Sequence, residues 1–138
     1  MNIEELPVDY RPSTDEDYMS PRQLAYFRSK LLQWRESLIE ESRQTLEQLR
    51  EANREVSDEA DRASRESDTS FELRTRDRYR KLLNKIDQAL KRIEDGSYGY
   101  CEETGEEIGI ARLEARPIAT LTVEAQERRE RSERQHGG

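Results

Sequence analysis

The chain has 138 residues, of which 40% are charged and 32% hydrophobic, a balance that cannot fill a large spherical core and suits long solvated helices sharing narrow apolar seams. A net charge of −7 argues against a partner gripped through its phosphates, so direct DNA binding is not expected. No apolar run approaches the ~20 residues of a membrane span.

The amino-terminal segment, residues 1–19, reads "MNIEELPVDYRPSTDEDYM". It is acidic where a secretion signal is basic and then apolar, so the cytoplasm is the expected compartment. Tyr10, Tyr18 and Met19 are the side chains with which it would pack on the globular module further along.

A coiled-coil hairpin is expected over residues 20–95. Ser20 can cap a helix, Pro21 suits its first position, and Gln23 completes a capping box. Leu24, Phe27, Leu31, Trp34 and Leu38 follow at 3-4 spacing, the seam of a coiled coil. The pattern then steps one residue to Ile39, Ser42, Leu46, Leu49, Asn53 and Val56. In the second arm Tyr79, Leu83, Ile86, Leu90 and Ile93 repeat in the same way, and Gly96 is placed as a left-handed C-cap. Two adjacent narrow-seamed helices fold back on each other antiparallel.

The start of the second arm is open to two readings. Thr69 with Glu72 offers a capping box, but a helix beginning there would leave Leu46, Leu49 and Val56 facing water. A start near Asp58 gives arms of equal length, with Glu59 and Asp61 in a first turn where the helix dipole favours acids. Ala60, Ala63 and Ser67 then become the small seam residues opposite Leu49 and Val56. The symmetric hairpin is the expectation, with its tip near residues 57–63.

Residues 96–138 are expected to form a small turn-rich module, with Gly96, Gly99, Gly105 and Gly109 as its punctuation. A short hairpin is expected within it, and Thr122 is the N-cap of a final helix from Val123 to about Arg134. Tyr98, Tyr100, Ile108, Ile110, Leu113, Ile118, Leu121 and Val123 are its expected core.

Catalytic chemistry has little to stand on. The only histidine, His136, lies beside the terminal glycines, which disfavours triads and imidazole acid–base work. Glu102 and Glu103 beside the lone Cys101 are expected to raise its pKa, the wrong direction for a nucleophile. The charges of the hairpin are more telling. Glu55–Glu72 is strongly acidic and Leu73–Glu94 strongly basic, which means either a salt-bridged solvated surface or an anion site near the hairpin's base. The tip acids are either an ordinary dipole-favoured helix start or groups positioned to reach into a partner.

The stretches "DEADRAS", "FELRTRDRYRKLLNKI" and "GSYGYCEETGEEIGIARLEARPIATL", in this order and spacing, resemble the DksA/TraR family, from about Ser20 to the carboxyl terminus. The resemblance implies a mainly α protein: a long antiparallel coiled-coil hairpin attached to a small zinc-ribbon-like globular module with a C-terminal helix. It implies a non-enzymatic regulator whose hairpin enters the secondary channel of RNA polymerase. There the tip, Asp58 and Asp61 with Ala63 nearby, alters open-complex stability. It implies a channel-rim contact at Arg78 and guanosine tetraphosphate (ppGpp) as effector, bound through Leu82, Lys85 and Arg116. A monomer is expected. Within the same channel a transcript-cleavage stimulator is the alternative, and outside it a coiled-coil scaffold.

Two departures from the family pattern matter. The four zinc-ligand positions, C-x2-C-x17-C-x2-C, carry Cys101, Thr104, Thr122 and Ala125, a set that supplies one thiolate where a structural zinc needs four ligands. No zinc is therefore expected. A basic position of the ppGpp site in the last helix is Gln126, for which Arg128 or Arg129 would have to substitute.

Overall fold

A computed structural model describes residues 6–56 and 62–136. Four helices follow in order: α1 Pro21–Val56, α2 Arg62–Asp95, α3 Ile110–Ala115 and α4 Val123–His136. The chain divides into two compact units, one from its start through Leu31 together with Gln88 onward, the other Leu32–Asp87. Among the described residues no helix is long and apolar enough to cross a membrane.

The Leu32–Asp87 unit is an antiparallel helix pair. Arg35 meets Asp87 at 2.7 Å, Thr45 meets Tyr79 at 3.2 Å, and Arg50 meets Glu72 at 3.0 Å. Fifteen residues separate Arg35 from Arg50 on α1, and fifteen separate Asp87 from Glu72 on α2. The arms therefore stay in one register, as the symmetric reading requires. Thr69 lies inside α2, its hydroxyl donating to the carbonyl of Arg65 at 2.9 Å, and caps nothing. The bend itself, with Asp58, Glu59, Ala60 and Asp61, lies outside the described residues.

Two details of the seam differ from the sequence pattern. Ile39 is 43% exposed while Leu38 is 4% exposed. The seam thus runs from Leu38 through half-buried Ser42, Thr45, Leu46 and Leu49 to Asn53 without a step at Ile39. The expected Ser42, Leu46, Leu49 and Asn53 lie on it; the 3-4 repeat also takes in polar Thr45, and apolar Ile39 falls outside. On the facing arm Ser67 is exposed; half-buried Asp68 and Glu72 and buried Thr75 hold the inner positions. Glu72 is satisfied there by Arg50 and Arg76, at 3.0 and 3.2 Å, which hold its carboxyl below the usual range.

In the other unit, α1 begins on a reciprocal cap. Ser20 Oγ accepts from the Gln23 amide at 3.3 Å, and Gln23 Oε1 accepts from the Met19 N–H at 2.7 Å. The Gln23 side chain is fully buried and also donates to the carbonyl of Ser13 at 2.9 Å. The cap thus fixes the preceding segment as well as the helix end. Phe27, Leu31, Ala89 and Ile93 have no more than 2% exposure and form the apolar stripes that α1 and α2 contribute to this unit. Gly96 ends α2 at φ 86°, with the amides of Gly96, Ser97 and Tyr98 all donating to Arg92 O.

Beyond Gly96 the expected hairpin reduces to one antiparallel bridge, Tyr100 with Glu107. The short helix α3 was not expected, because its six residues are too few to show a period. Of the expected core, Tyr98, Ile108, Leu113 and Leu121 are buried, and Ile110 and Ile118 are half-buried. Tyr100 at 39% and Val123 at 45% exposure are not core. Cys101, Ala119, Thr122 and Ala125 take the inner positions instead.

Candidate functional site

The zinc-ligand positions are built by two turns. The first is held by Cys101 N–H donating to Glu106 O at 2.8 Å and Gly105 N–H to Cys101 O at 2.8 Å. The second is the start of α4, where Thr122 Oγ1 accepts from the Ala125 amide at 3.1 Å, as the sequence indicated. Glu102 N–H joins the two by donating to Thr120 O at 2.9 Å. Cys101, Thr122 and Ala125 are buried at 3%, 6% and 0% exposure, and Thr122 Oγ1 donates to Cys101 Sγ at 4.0 Å. Outside this contact Arg129 reaches across from α4 to Glu103 at 2.6 Å and Glu102 at 3.6 Å.

The electrostatics of Cys101 correct the sequence reading. Burial pushes the thiol up. That effect is outweighed by hydrogen bonds from the Thr104 hydroxyl and from the backbone of Thr122, Glu103 and Thr104, and the thiol lies lowered to about 7. The direction is set by these hydrogen bonds and not by repulsion from the neighbouring acids. Sequence adjacency suggested a repulsion that the turn geometry replaces with converging donors.

On α2 the basic residues sort by their partners. Arg76 pairs with Glu72, and Arg80 and Lys81 pair with Asp77. Arg74, Arg78 and Lys85 are exposed and make no ion pair with the described residues. Phe71, Arg74 and Arg78 stand at i, i+3 and i+7, which is one face of a helix. Phe71 is 52% and Leu73 59% exposed, two apolar residues that the sequence reading passed over because they lie off the seam; two positions apart, they fall on different faces of the helix. Asp58 and Asp61 lie outside the described residues, and Ala63 belongs to the first turn of α2.

The remaining positions divide between the units. Leu82 is half-buried and Lys85 exposed, three residues apart on α2. Arg116 is the exposed C-cap of α3, its N–H donating to Arg112 O at 2.7 Å. Gln126 donates to Glu130 at 3.1 Å. Arg129 is occupied by Glu103, so of the two arginines offered as substitutes for a base at 126 only exposed Arg128 is without such a tie.

Two family models match the chain. The amino-terminal domain of the DnaK suppressor protein DksA matches residues 23–93, and the prokaryotic dksA/traR C4-type zinc finger matches residues 96–131. The chain is 65% identical over 128 residues to the RNA polymerase-binding transcription factor DksA of Caulobacter vibrioides, covering 93% of this chain and 90% of that one. This chain belongs to the DksA family. The DksA of Escherichia coli K12 is 44% identical over 129 residues, covering 94% of this chain and 85% of that protein. Among solved structures, transcription factor DksA2 from Pseudomonas aeruginosa superposes with a TM-score of 0.70 at 42% identity, covering 90% of this chain and 94% of that one.

The zinc-finger match raises the question of whether a DksA chain with these residues fits the metal. A structural zinc takes about four thiolate, imidazole or carboxylate ligands. The matched positions offer one buried thiol, two hydroxyls and a methyl group, and one of the hydroxyls already caps α4. Among the described residues no three His, Cys, Asp or Glu side chains are grouped to hold an ion. The donor set does not fit.

Proposed function

We propose that this chain is a regulator of transcription that binds RNA polymerase through the secondary channel and acts there with the tip of its hairpin. The observation that carries the reading is the matched register of α1 and α2 in a chain 65% identical to an RNA polymerase-binding transcription factor. Helical arms in fixed register hold a tip at constant distance from their base. Asp58 and Asp61 are the acids assigned to that tip, with Ala63 beside them. Their carboxylates act near the catalytic Mg²⁺ or pair with arginines of the enzyme.

Arg78 is assigned to the channel rim, supported by its exposure and by its making no ion pair among the described residues. ppGpp is the effector, held by Leu82, Lys85 and Arg116, the two cations being the groups that recognise a polyphosphate. The chain acts as a cytoplasmic monomer, catalyses nothing by itself, makes no base contacts to DNA and carries no zinc.

The test is a purified transcription assay on a ribosomal RNA promoter, with and without ppGpp. Asp61→Asn is expected to bind polymerase as wild type does and to lose repression. Full repression by that variant would refute the tip assignment. Shortening of nascent RNA in stalled complexes would instead reveal a cleavage stimulator.

A further inference from the structure

The mismatch between the zinc-finger pattern and the residues present leaves a physical question: what joins the 101–104 turn to the start of α4? A metal in a four-cysteine finger does so by cross-linking both segments. Here the same two segments are tied by three contacts of other kinds. Thr122 Oγ1 points at Cys101 Sγ, Glu102 N–H donates to Thr120 O, and Arg129 bridges to Glu103. Thr104 secures the first turn from within, its Oγ1 accepting from the Glu106 N–H at 3.2 Å. The geometry points to an inverted finger, in which the retained Cys101 sulfur is the acceptor and the Thr122 hydroxyl its donor, with the Glu103–Arg129 ion pair as an outer clasp.

The argument rests on what each position does now. In a metal site four electron-rich sulfurs surround a cation. Here one electron-rich sulfur faces the hydroxyl of Thr122, so the polarity of centre and shell is exchanged. Thr122 fits this role because a hydroxyl is a donor that thiolate ligands of a metal cannot be. Ala125, fully buried, closes the site by packing where a fourth sulfur would stand. Thr122 serves twice, since its oxygen also accepts from the Ala125 amide and fixes the first turn of α4.

The proposal separates from two others by the order of substitutions at one position. If the sulfur is an acceptor hub, Cys101→Ser keeps an acceptor and Cys101→Ala strands the donors around it. Thermal unfolding of the full chain should then fall by about 3 °C for serine and about 8 °C for alanine. If Cys101 served only as apolar filling, alanine would match or exceed serine. If it held a metal, both variants would lose about one zinc per chain that elemental analysis finds in the wild type.

A second arm uses the chain with Thr104→Cys, Thr122→Cys and Ala125→Cys together. This variant is expected to take up one zinc and to become sensitive to chelator, whereas the wild type ignores it. Arg129→Ala should lower the melting temperature of the wild type by about 2 °C and leave the zinc-loaded variant unchanged. Equal losses in both, failure of the variant to take up zinc, zinc in the wild type, or alanine outperforming serine at Cys101 would each overturn the proposal.

Discussion

The hydroxyl of Tyr18 donates to the carbonyl of Gly99 at 2.6 Å, across 81 residues of sequence, and accepts from the amide of Gly109 at 2.9 Å. One oxygen thus spans the two ends of the loop that carries the Cys101 turn. Its ring stands edge-on to Tyr100 at 5.5 Å. Tyr18→Phe keeps the ring contact and removes both bonds, leaving a part-buried amide without its acceptor. A loss of about 1–2 kcal/mol is expected, measured by chemical denaturation.

Gly99 is the tighter partner of that joint. It sits at φ +93°, and a Cβ there would lie 2.8 Å from Met19 Cγ and 2.9 Å from its Sδ. Met19 itself is at φ 53° and buried. Gly99→Ala combines a disfavoured backbone with a clash, and should cost about 2–4 kcal/mol. Gly105→Ala, at φ +75° with nothing within 4 Å, isolates the backbone part and should cost about half as much.

The side-chain amide of Gln23 ties down the preceding segment at two points, Met19 and Ser13, and it has no exposure at all. Gln23→Ala leaves the Met19 amide and the Ser13 carbonyl without partners as well as a cavity. The expected loss is about 2–4 kcal/mol, with accelerated hydrogen exchange at Met19 as the local signature.

The α2 surface should separate binding from folding. Phe71, Arg74 and Arg78 are exposed, so Phe71→Ser and Arg78→Ala should move the melting temperature by no more than about 2 °C. If the proposed rim contact is real, each should weaken association with polymerase about tenfold, the scale of one lost anchoring contact. Unchanged affinity in both would remove this face from the interface.

Alkaline titration should loosen the amino-terminal segment. Burial, then the hydrogen bond to Glu16, push Tyr10 up to about 12, and burial also raises Tyr18 and Tyr26. For an acid whose folded pKa is raised, the stabilisation is complete below the unfolded value near 10 and is lost as pH climbs through the folded one. Stability should therefore decline between about pH 10 and 12. Absorbance of tyrosinate in wild type and Tyr10→Phe checks this, the variant losing the step near pH 12 while that of the more deeply buried Tyr98, higher still, remains.

How much of this was legible in the sequence follows from what generates each signal. The arms were readable because Leu31, Leu38, Ile86 and Ile93 recur with a helical period and are buried. Their equal length was readable from the cost of exposing Leu46 and Leu49. Beyond Leu38 the seam positions Ser42, Leu46, Leu49 and Asn53 were read correctly, and Ile39, favoured by composition, faces outward while Thr45 sits inward. In the small unit, Tyr100 and Val123 looked like core by residue type, yet single bridges and a helix start leave such side chains half outside. The lowered Cys101 thiol was illegible because the donors responsible come from Thr104 and Thr122, whose convergence is a property of the fold. The exposed Phe71 and Leu73 were readable in principle, as apolar residues off the α2 repeat.

The fifteen-for-fifteen spacing of Arg35–Arg50 against Asp87–Glu72 limits which insertions and deletions this hairpin can survive. A heptad excised from both arms would shorten the pair by about 10 Å while every surviving rung kept its mate. The same excision from one arm would set each remaining rung against a stranger. Changes in hairpin length should therefore arise as twinned events, and a homologue altered in only one arm should carry a compensating bulge or kink.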